Sequence, residues 1–332
     1  RSTFDAEAAL RRAVEAGNIE DAVRDAAPHL AQYQRLREAL AQYRALADHP
    51  GWRSPLPPLP PGLVAKQPLD LAAMQDNEVA WLGHACFALR LDGRLVLTDP
   101  FLGRTAGPLG FGPKRFLPPA VAASALPRLD LIVISHNHYD HIDAAALRAY
   151  RWRAETPVIC PLGVGKLLRR LGYSIVTELD WWQDCALADL TITALPAVHF
   201  SGRGLFDRNR TLWASMAIAS PHRKVWFGGD TGYGAVFREI GERAGPFDLA
   251  LVGIGAYEPR IIMEASHATP EEAIAIARDI RARVAVGMHW GSIMLTPEDP
   301  FEAPMRFRKA AQDQQYGEAN AWIMQVGEVR QF

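Results

Sequence analysis

LIVISHNHYDH, residues 131–141, joins an apolar run to a cluster of metal-binding side chains. Leu131, Ile132, Val133 and Ile134 read as a strand buried on both faces. The run stops at Ser135, and four side chains able to hold a metal follow at once: His136, His138, Asp140 and His141. In extended chain, positions i, i+2 and i+4 share one side. His136, His138 and Asp140 are therefore expected to face one point, and His141, out of phase, a second point beside it. Imidazole combined with carboxylate suits zinc and metals like it. Two adjacent points suggest two metals, which in two-metal sites lie about 3.5–4 Å apart. A lone histidine is commonly structural, but four ligand types this close together are rarely incidental.

One motif cannot complete two metal sites. Three more residues of the right type stand just past apolar runs: His199 in ALPAVHF, Asp230 in WFGGDTGYG and His289 in AVGMHWG. Each has glycine or proline nearby, as a ligand on a loop at a sheet edge should. Gly228 and Gly229 allow the backbone to come close. Asp230, with two oxygens, is the expected bridge. One site is then His136, His138, His199 and Asp230. The other is Asp140, His141, Asp230 and His289, with open positions for a bridging water or hydroxide.

The surrounding pattern is α/β. From Glu78 onward short strands are expected at 79–82, 85–91 and 94–98, split by Gly83-His84 and by the hairpin signal Asp92-Gly93. Strand signals recur at 158–160, 190–195, 212–217, 224–227, 249–252 and 284–288, and 321–326 closes the chain. Helical signals lie at 143–153, with Asp143 as N-cap, and at 163–171, 270–281 and 304–314. Helices that fall between groups of strands suggest two facing sheets with helices outside, a four-layer αββα sandwich. Upstream, residues 1–49 read as a small helical extension whose third helix carries Tyr33, Leu36, Leu40 and Tyr43 at helical spacing. That stripe either docks on the main domain or serves a partner or membrane surface, and the polar face holds few basic residues for the latter. Proline density over 50–62 forces polyproline II, as a stiff connection or an SH3-type ligand. The expected organisation is a helical extension at 1–49, a proline-rich strap at 50–76 and a main domain at 77–332.

Bulk properties narrow the function classes. With 332 residues, 49% hydrophobic and 22% charged, the chain has the composition of an ordinary globular protein. A net charge of −1 gives no global reason to hold a polyanion, so nucleic acid is not an expected partner. Cys86, Cys160 and Cys185 form no CxxC pair and indicate no disulfide framework. No apolar stretch has the length of a membrane span. The chain starts at Arg1 rather than Met, consistent with a removed segment.

HNHYDH followed in order by His199, Asp230 and His289 resembles the metallo-β-lactamase superfamily. WLGHACFALRLDGRLVLTDPF, SHNHYDHID, GGDTGYG, GPFDLALVGIGAYEPR, HATPEEA and GMHWG, spread over residues 78–298, resemble one branch of it: the N-acylphosphatidylethanolamine-hydrolysing phospholipases D and their bacterial relatives. The resemblance implies the αββα fold, two zinc ions or similar divalent metals, and hydrolysis of a phosphodiester through a metal-bridging hydroxide. Asp140 is then both ligand and the group to orient the water or take its proton. His267, in ASHATPEEA, is placed at the substrate phosphate. Tyr257, Glu258 and Arg260 in GAYEPR are candidates to line the pocket, with Arg260 free either to hold a phosphate or to pair with a glutamate. Asp99 and His84 are candidates to orient the metal-bound imidazoles, against plainer readings as a turn aspartate and a hairpin histidine. Two features depart from the branch: residues 1–49 do not match it, and residues 261–266 replace a more aromatic stretch.

The leading expectation is a phospholipase D-type phosphodiesterase acting on a phospholipid, with peripheral membrane contact. The alternatives are a lactonase or other small-molecule ester or amide hydrolase using the same centre, and a non-catalytic metal-binding scaffold. Residues 33–52 also resemble the helical scaffold segment of periplasmic L,D-transpeptidases, without the cysteine domain that carries their chemistry. That segment and the start at Arg1 favour a periplasmic or membrane-associated place over the cytoplasm. The oligomeric state is left open.

Overall fold

Alternation along the first strands serves two cores at once. In β1 (Glu78–Gly83), Val79 and Trp81 enter one buried cluster while Ala80 and Leu82 enter another. β2 (Cys86–Leu91) repeats this, Phe87 and Leu89 on one side and Cys86 and Ala88 on the other. Successive side chains of a strand leave opposite faces, so a strand that is apolar throughout is one covered on both. The run at 131–134 is of this kind: Leu131 and Val133 join the first cluster, Ile132 and Ile134 the second.

The computed structural model describes residues 58–204 and 206–332. The helical extension expected at 1–49 and the proline-rich stretch through residue 57 lie outside the described residues. Beyond β2 the first sheet continues with β3 (Arg94–Thr98), β4 (Leu131–Val133), β5 (Val158–Pro161) and β6 (Val176–Leu179). Its other edge is β14 (Val329–Gln331), antiparallel to β1 with Glu78 opposite Gln331. In the second sheet β7 (Asp184–Leu187), β8 (Leu190–Leu195), β9 (Ser215–Ala219), β10 (Lys224–Phe227), β11 (Phe247–Gly253), β12 (Ala282–Met288) and β13 (Ala321–Trp322) lie side by side in chain order. α1 (Ala144–Ala149) and α2 (Gly165–Arg170) bury Leu147 and Leu168 in the first sheet's outer cluster. α3 (Val236–Arg243), α5 (Pro270–Asp279) and α6 (Ala303–Asp313) bury Phe237, Ile274 and Phe307 in the second sheet's cluster. A short turn of helix, α4 (Arg260–Met263), precedes α5 and buries none of its residues. The architecture is the expected αββα sandwich.

Several boundaries differ from the sequence reading for identifiable reasons. The helix expected at 143–153 ends at Ala149, because Tyr150 turns inward and its hydroxyl accepts the Leu129 N–H at 2.9 Å. The strand expected at 212–217 begins only at Ser215. Leu212 and Ala214 give their N–H groups to the carbonyls of Leu162 and Ser135, across to the first sheet's loops. The expected closing strand at 321–326 is reduced to Ala321–Trp322; Val326 instead pairs with Val64, and the chain crosses to the first sheet as β14. β6, β7 and β14 were not expected: they are short and only partly buried, so no clear period marks them. Leu71 and Met74 are buried in the first sheet's outer cluster, so residues upstream of β1 already pack on the sandwich.

Candidate metal centre

The ends of β1, β3, β4, β8, β10 and β12 deliver polar side chains to one place. Two four-residue groups result, in each of which one donor atom per residue lies within 4.8 Å of the others, and two three-residue sets, Asp99 with His136 and His141 and Asp230 with His267 and His289, overlap them. The first is His136, His138, His199 and Asp230, the set expected for one site. The second is His84, Asp140, His141 and His289. Asp230 lies between them. Its Oδ1 is 3.1 Å from His289 Nε2, and its Oδ2 is 3.1 Å from His141 Nε2, 3.7 Å from His199 Nε2 and 3.8 Å from His136 Nε2. Asp140 does not share a point with His136 and His138, as extended chain would require. The backbone turns after His138, whose carbonyl accepts the N–H groups of His141 and Ile142 at 3.2 and 2.9 Å. That turn swings Asp140 into the second group with His141.

The strand ends need close backbone approach. Gly229 has φ +55, and a Cβ there would lie 2.5 Å from Ser135 Cβ. Only glycine fits between Asp230 and the start of the histidine motif.

Imidazoles that bind metal usually give their other N–H to an oxygen, which fixes the tautomer. Asp99 does this for His141, its Oδ2 accepting from Nδ1 at 2.6 Å. The same carboxylate accepts from the Ser135 hydroxyl at 2.5 Å and the Ser135 N–H at 2.8 Å. With its proton so committed, Ser135 Oγ accepts from His136 Nδ1 at 2.9 Å. The carbonyl of Ser266 accepts from His199 Nδ1 at 2.9 Å. His136 and His199 therefore turn a bare Nε2 inward, with His138 Nδ1 2.9 Å from the first and 3.3 Å from the second, while His141 turns its Nε2 to Asp230 Oδ2 at 3.1 Å. Nitrogens converging this closely, beside a buried Asp230 Oδ1 with no hydrogen-bond partner among the described residues, form a donor set that a divalent cation satisfies.

The electrostatics agree. Burial acts to push the His141 imidazole down, but Asp230, Asp140 and Asp99 outweigh it and hold it well above its ordinary value. His289, likewise buried, is raised to about 9 by Asp230 and Asp140. Burial, reinforced by the other imidazoles, holds His136 and His199 well below the usual range. Burial opposes the charge of Asp140 and Asp230, yet the facing histidines keep both carboxyls well below theirs. Where protons on two histidines offset the two carboxylates, a cation can take the same place.

The remaining candidates separate. Asp99 is fully buried, and its hydrogen bond to His141 Nδ1 is the contact the orienting role requires. His84 stands in the turn of the β1–β2 hairpin, and from there its Nε2 also reaches to 3.0 Å from Asp140 Oδ2, inside the second group. His267 is 9% exposed, with its ring 5.2 Å from that of His199 and 5.3 Å from that of His289. Burial pushes it down to about 4 against the pull of Asp230. Arg260 does not present its guanidinium to a substrate. It pairs with both Glu272 carboxylate oxygens at 3.0 Å and donates to the carbonyl of His267 at 2.8 Å, so the glutamate pairing is the one realised. Glu258 accepts the Arg260 N–H at 3.1 Å. Tyr257 is fully buried and gives its hydroxyl to Glu302 at 3.0 Å. It lines, with His289 and Glu298, a cavity of about 20 Å³, room for little more than a water. Sequence reasoning passed over Ser135, Ser266 and Arg203. Ser135 adjoins the motif and could have been flagged; the other two act through backbone contacts that no local pattern announces.

Fold and site together define an αββα sandwich with a candidate metal centre at the strand ends. The sequence profile of the beta-lactamase superfamily domain matches residues 94–290. An uncharacterized protein of Mycobacterium tuberculosis is 43% identical over 243 residues, 70% of this chain and 64% of its own length, so this chain spans less than two thirds of that relative. The N-acyl-phosphatidylethanolamine-hydrolyzing phospholipase D 1 of Caenorhabditis elegans is 39% identical over 252 residues, 70% of this chain and 71% of that protein. Among solved structures, Igni18, a metallo hydrolase of Ignicoccus hospitalis, aligns with TM-score 0.58 at 23% identity over 77% of this chain and 97% of its own. An isothiocyanate hydrolase from Delia radicum gut bacteria aligns with TM-score 0.61 at 17% identity over 77% and 99%. The chain belongs to the metallo-β-lactamase superfamily, in the branch that it shares with the nematode phospholipase.

Proposed function

We propose that this chain is a two-metal phosphodiesterase of phospholipase D type, acting on phospholipids like N-acylphosphatidylethanolamine. The observation that carries this reading is an apolar lip against the histidines. The Phe200 ring lies 4.7 Å from that of His138 and 4.9 Å from that of His199. α4 brings Ile261, Ile262 and Met263, none of them buried, up to Ser266, whose carbonyl orients His199. Ile261 is 51% exposed, and Phe206, further along the loop that follows Phe200, is 85% exposed. Exposed Arg208 and Arg210 follow Phe206, Arg208 with its guanidinium 4.0 Å over the Phe200 ring, which suits a surface of lipid chains below phosphates. The name of the nematode relative supports the same substrate class.

Divalent cations, when bound here, supply Lewis acidity and acidify water within their reach. The protein's own groups would divide the rest. Asp99 and Ser135 keep His141 and His136 with Nε2 inward. Asp140 is the candidate to take a proton from the water attacking phosphorus. His267, whose ring has no hydrogen-bond partner among the described residues, is the candidate to hold a phosphoryl oxygen. Attack breaks the P–O bond to the head group, and the departing oxygen takes a proton to leave as the N-acylethanolamine, with phosphatidate remaining.

The test is metal content together with hydrolysis of bis(p-nitrophenyl) phosphate and of N-acylphosphatidylethanolamine, for wild type and Asp230→Ala. About two zinc-like ions per chain, and lipid cleavage lost in the variant, support the reading. Metal without phosphodiester cleavage transfers it to lactones and small esters. No metal uptake even with added zinc overturns the mechanism.

A further inference from the structure

Arg203 lies outside both ligand groups, yet it grips the loop that carries four of their members. Its Nη1 is 2.8 Å from the carbonyl oxygen of Asn137, 3.2 Å from that of His138 and 3.0 Å from that of Ile142. A guanidinium nitrogen has two hydrogens, so at least one is shared between acceptors. The guanidinium carbon sits 3.7 Å from the centre of the Tyr139 ring, and the Tyr139 hydroxyl donates back to the Arg203 carbonyl at 3.0 Å. Asn137 Oδ1 accepts the neighbouring Gly202 N–H at 2.8 Å, and Asp207 accepts the Arg203 N–H at 3.0 Å. No carboxylate pairs with this guanidinium among the described residues.

These contacts bracket the turn that divides the ligands. His138 lies before it, in the first group; Asp140 and His141 lie within it, in the second. Folding the chain there brings three carbonyl oxygens together, and their dipoles repel unless a cation stands among them. We infer that Arg203 is a positioning residue for the metal centre: by holding the carbonyls of Asn137, His138 and Ile142 it sets the turn that sends His138 to one metal position and Asp140 and His141 to the other. Arg203 itself binds neither metal nor substrate. The inference rests on the two groups being metal sites, and it is independent of the substrate.

Cobalt(II) is the probe, because its ligand-field absorption reports coordination geometry. Wild type, Arg203→Met and Arg203→Lys are compared by chelator competition, by the cobalt spectrum and by thermal unfolding of the metal-free protein. R203M keeps the stem over Tyr139 and loses the donors. It should bind cobalt about 10–100-fold more weakly, the usual effect of removing a group that supports metal ligands. Its spectrum should shift while the metal-free protein unfolds within a few degrees of wild type. R203K keeps the charge but not the planar fork, so it should recover most of the affinity with a smaller spectral shift. Wild-type affinity and spectrum in R203M would overturn the inference. If R203M does not fold, R203K decides: a shifted spectrum supports the role and an unchanged one overturns it. Wild-type protein that takes up no cobalt would instead overturn the metal-centre reading, and this inference with it.

Discussion

His289 donates its backbone N–H to the carbonyl of His84 at 3.2 Å, and the two imidazoles lie against each other with centroids 4.1 Å apart and planes tilted by 38°. Both residues hold left-handed backbone, with φ +59 at His84 and +61 at His289. One follows β1 of the first sheet and the other follows β12 of the second, so the pair ties the sheets together at the metal centre. Trp81 Nε1 donates to the same carbonyl at 2.9 Å, and Ser292 Oγ accepts the His84 N–H at 2.9 Å. Both Nδ1 atoms are buried with no hydrogen-bond partner among the described residues. At this corner ring against ring does the orienting that an oxygen does for His136, His141 and His199.

A conservative test of that corner is His84→Asn. Asparagine tolerates left-handed backbone better than most residues, so the chain path should survive while the imidazole is lost. Asp140 would lose its 3.0 Å partner and His289 the ring that packs against it. The second group should then empty before the first, and metal content after exhaustive dialysis should drop towards half that of wild type. Full retention would reduce His84 to a packing residue.

Gly229→Ala addresses the close approach beneath Asp230. The new methyl would lie 2.7 Å from Ser135 Oγ, on a backbone with φ +55. Left-handed strain in a non-glycine residue costs on the order of 1–3 kcal/mol, and here the clash also pushes on the serine that joins His136 to Asp99. Urea unfolding should show that loss, and metal binding should weaken with it. A change under about 0.5 kcal/mol, the range of ordinary surface substitutions, would mean that the two loops can separate freely.

These residues also show what a sequence can reveal of such a site. His136, His138, Asp140 and His141 were legible because they are local and follow an unbroken apolar strand. His199, Asp230 and His289 were legible because each ends a strand with glycine or proline beside it. Extended chain predicts one shared face for His136, His138 and Asp140, and the turn after His138 removes it; the assignment of Asp140 to the site of His141 and His289 agrees with the group in which it lies. Arg203 was illegible because its partners are backbone carbonyls, which have no signature in residue type. Arg260 carried a real choice between phosphate and glutamate, and only the proximity of Glu272 across the α5 N-terminus resolves it. Among strands, those buried on both faces stood out; β7, whose residues alternate between exposed and half-buried, offered no apolar period to detect.

Glu298 gives the fold a pH dependence separate from the metal ligands. Burial raises its carboxyl above the ordinary range, with hydrogen bonds from Thr296 and from the backbone of Ala256 and Glu258 opposing the shift incompletely. Its Oε2 is buried without a hydrogen-bond partner among the described residues. The folded protein therefore holds this proton to higher pH than the unfolded chain does. Stability from this group is complete below the ordinary glutamate value of about 4.3, and falls as pH rises through the raised value. Glu298→Gln removes that loss. In metal-free protein the variant should gain thermal stability relative to wild type at pH 8 and not at pH 4. An equal difference at both values would show that the carboxyl ionises in the fold without penalty.

The lipid reading makes its sharpest demand on the lip. Phe206→Ser and Ile261→Ser change residues that are 85% and 51% exposed, so neither should cost much stability. Neither side chain is in a ligand group. If they meet acyl chains, each loses up to roughly 2 kcal/mol of burial, about a tenfold or greater rise in KM for N-acylphosphatidylethanolamine in vesicles. Hydrolysis of soluble bis(p-nitrophenyl) phosphate, which has no acyl chain to place, should keep its kcat and KM. Equal losses on both substrates would mean that the substitutions disturb His199 through Phe200 and Ser266. No loss on either would remove the apolar lip as the reason to prefer a phospholipid over a small ester.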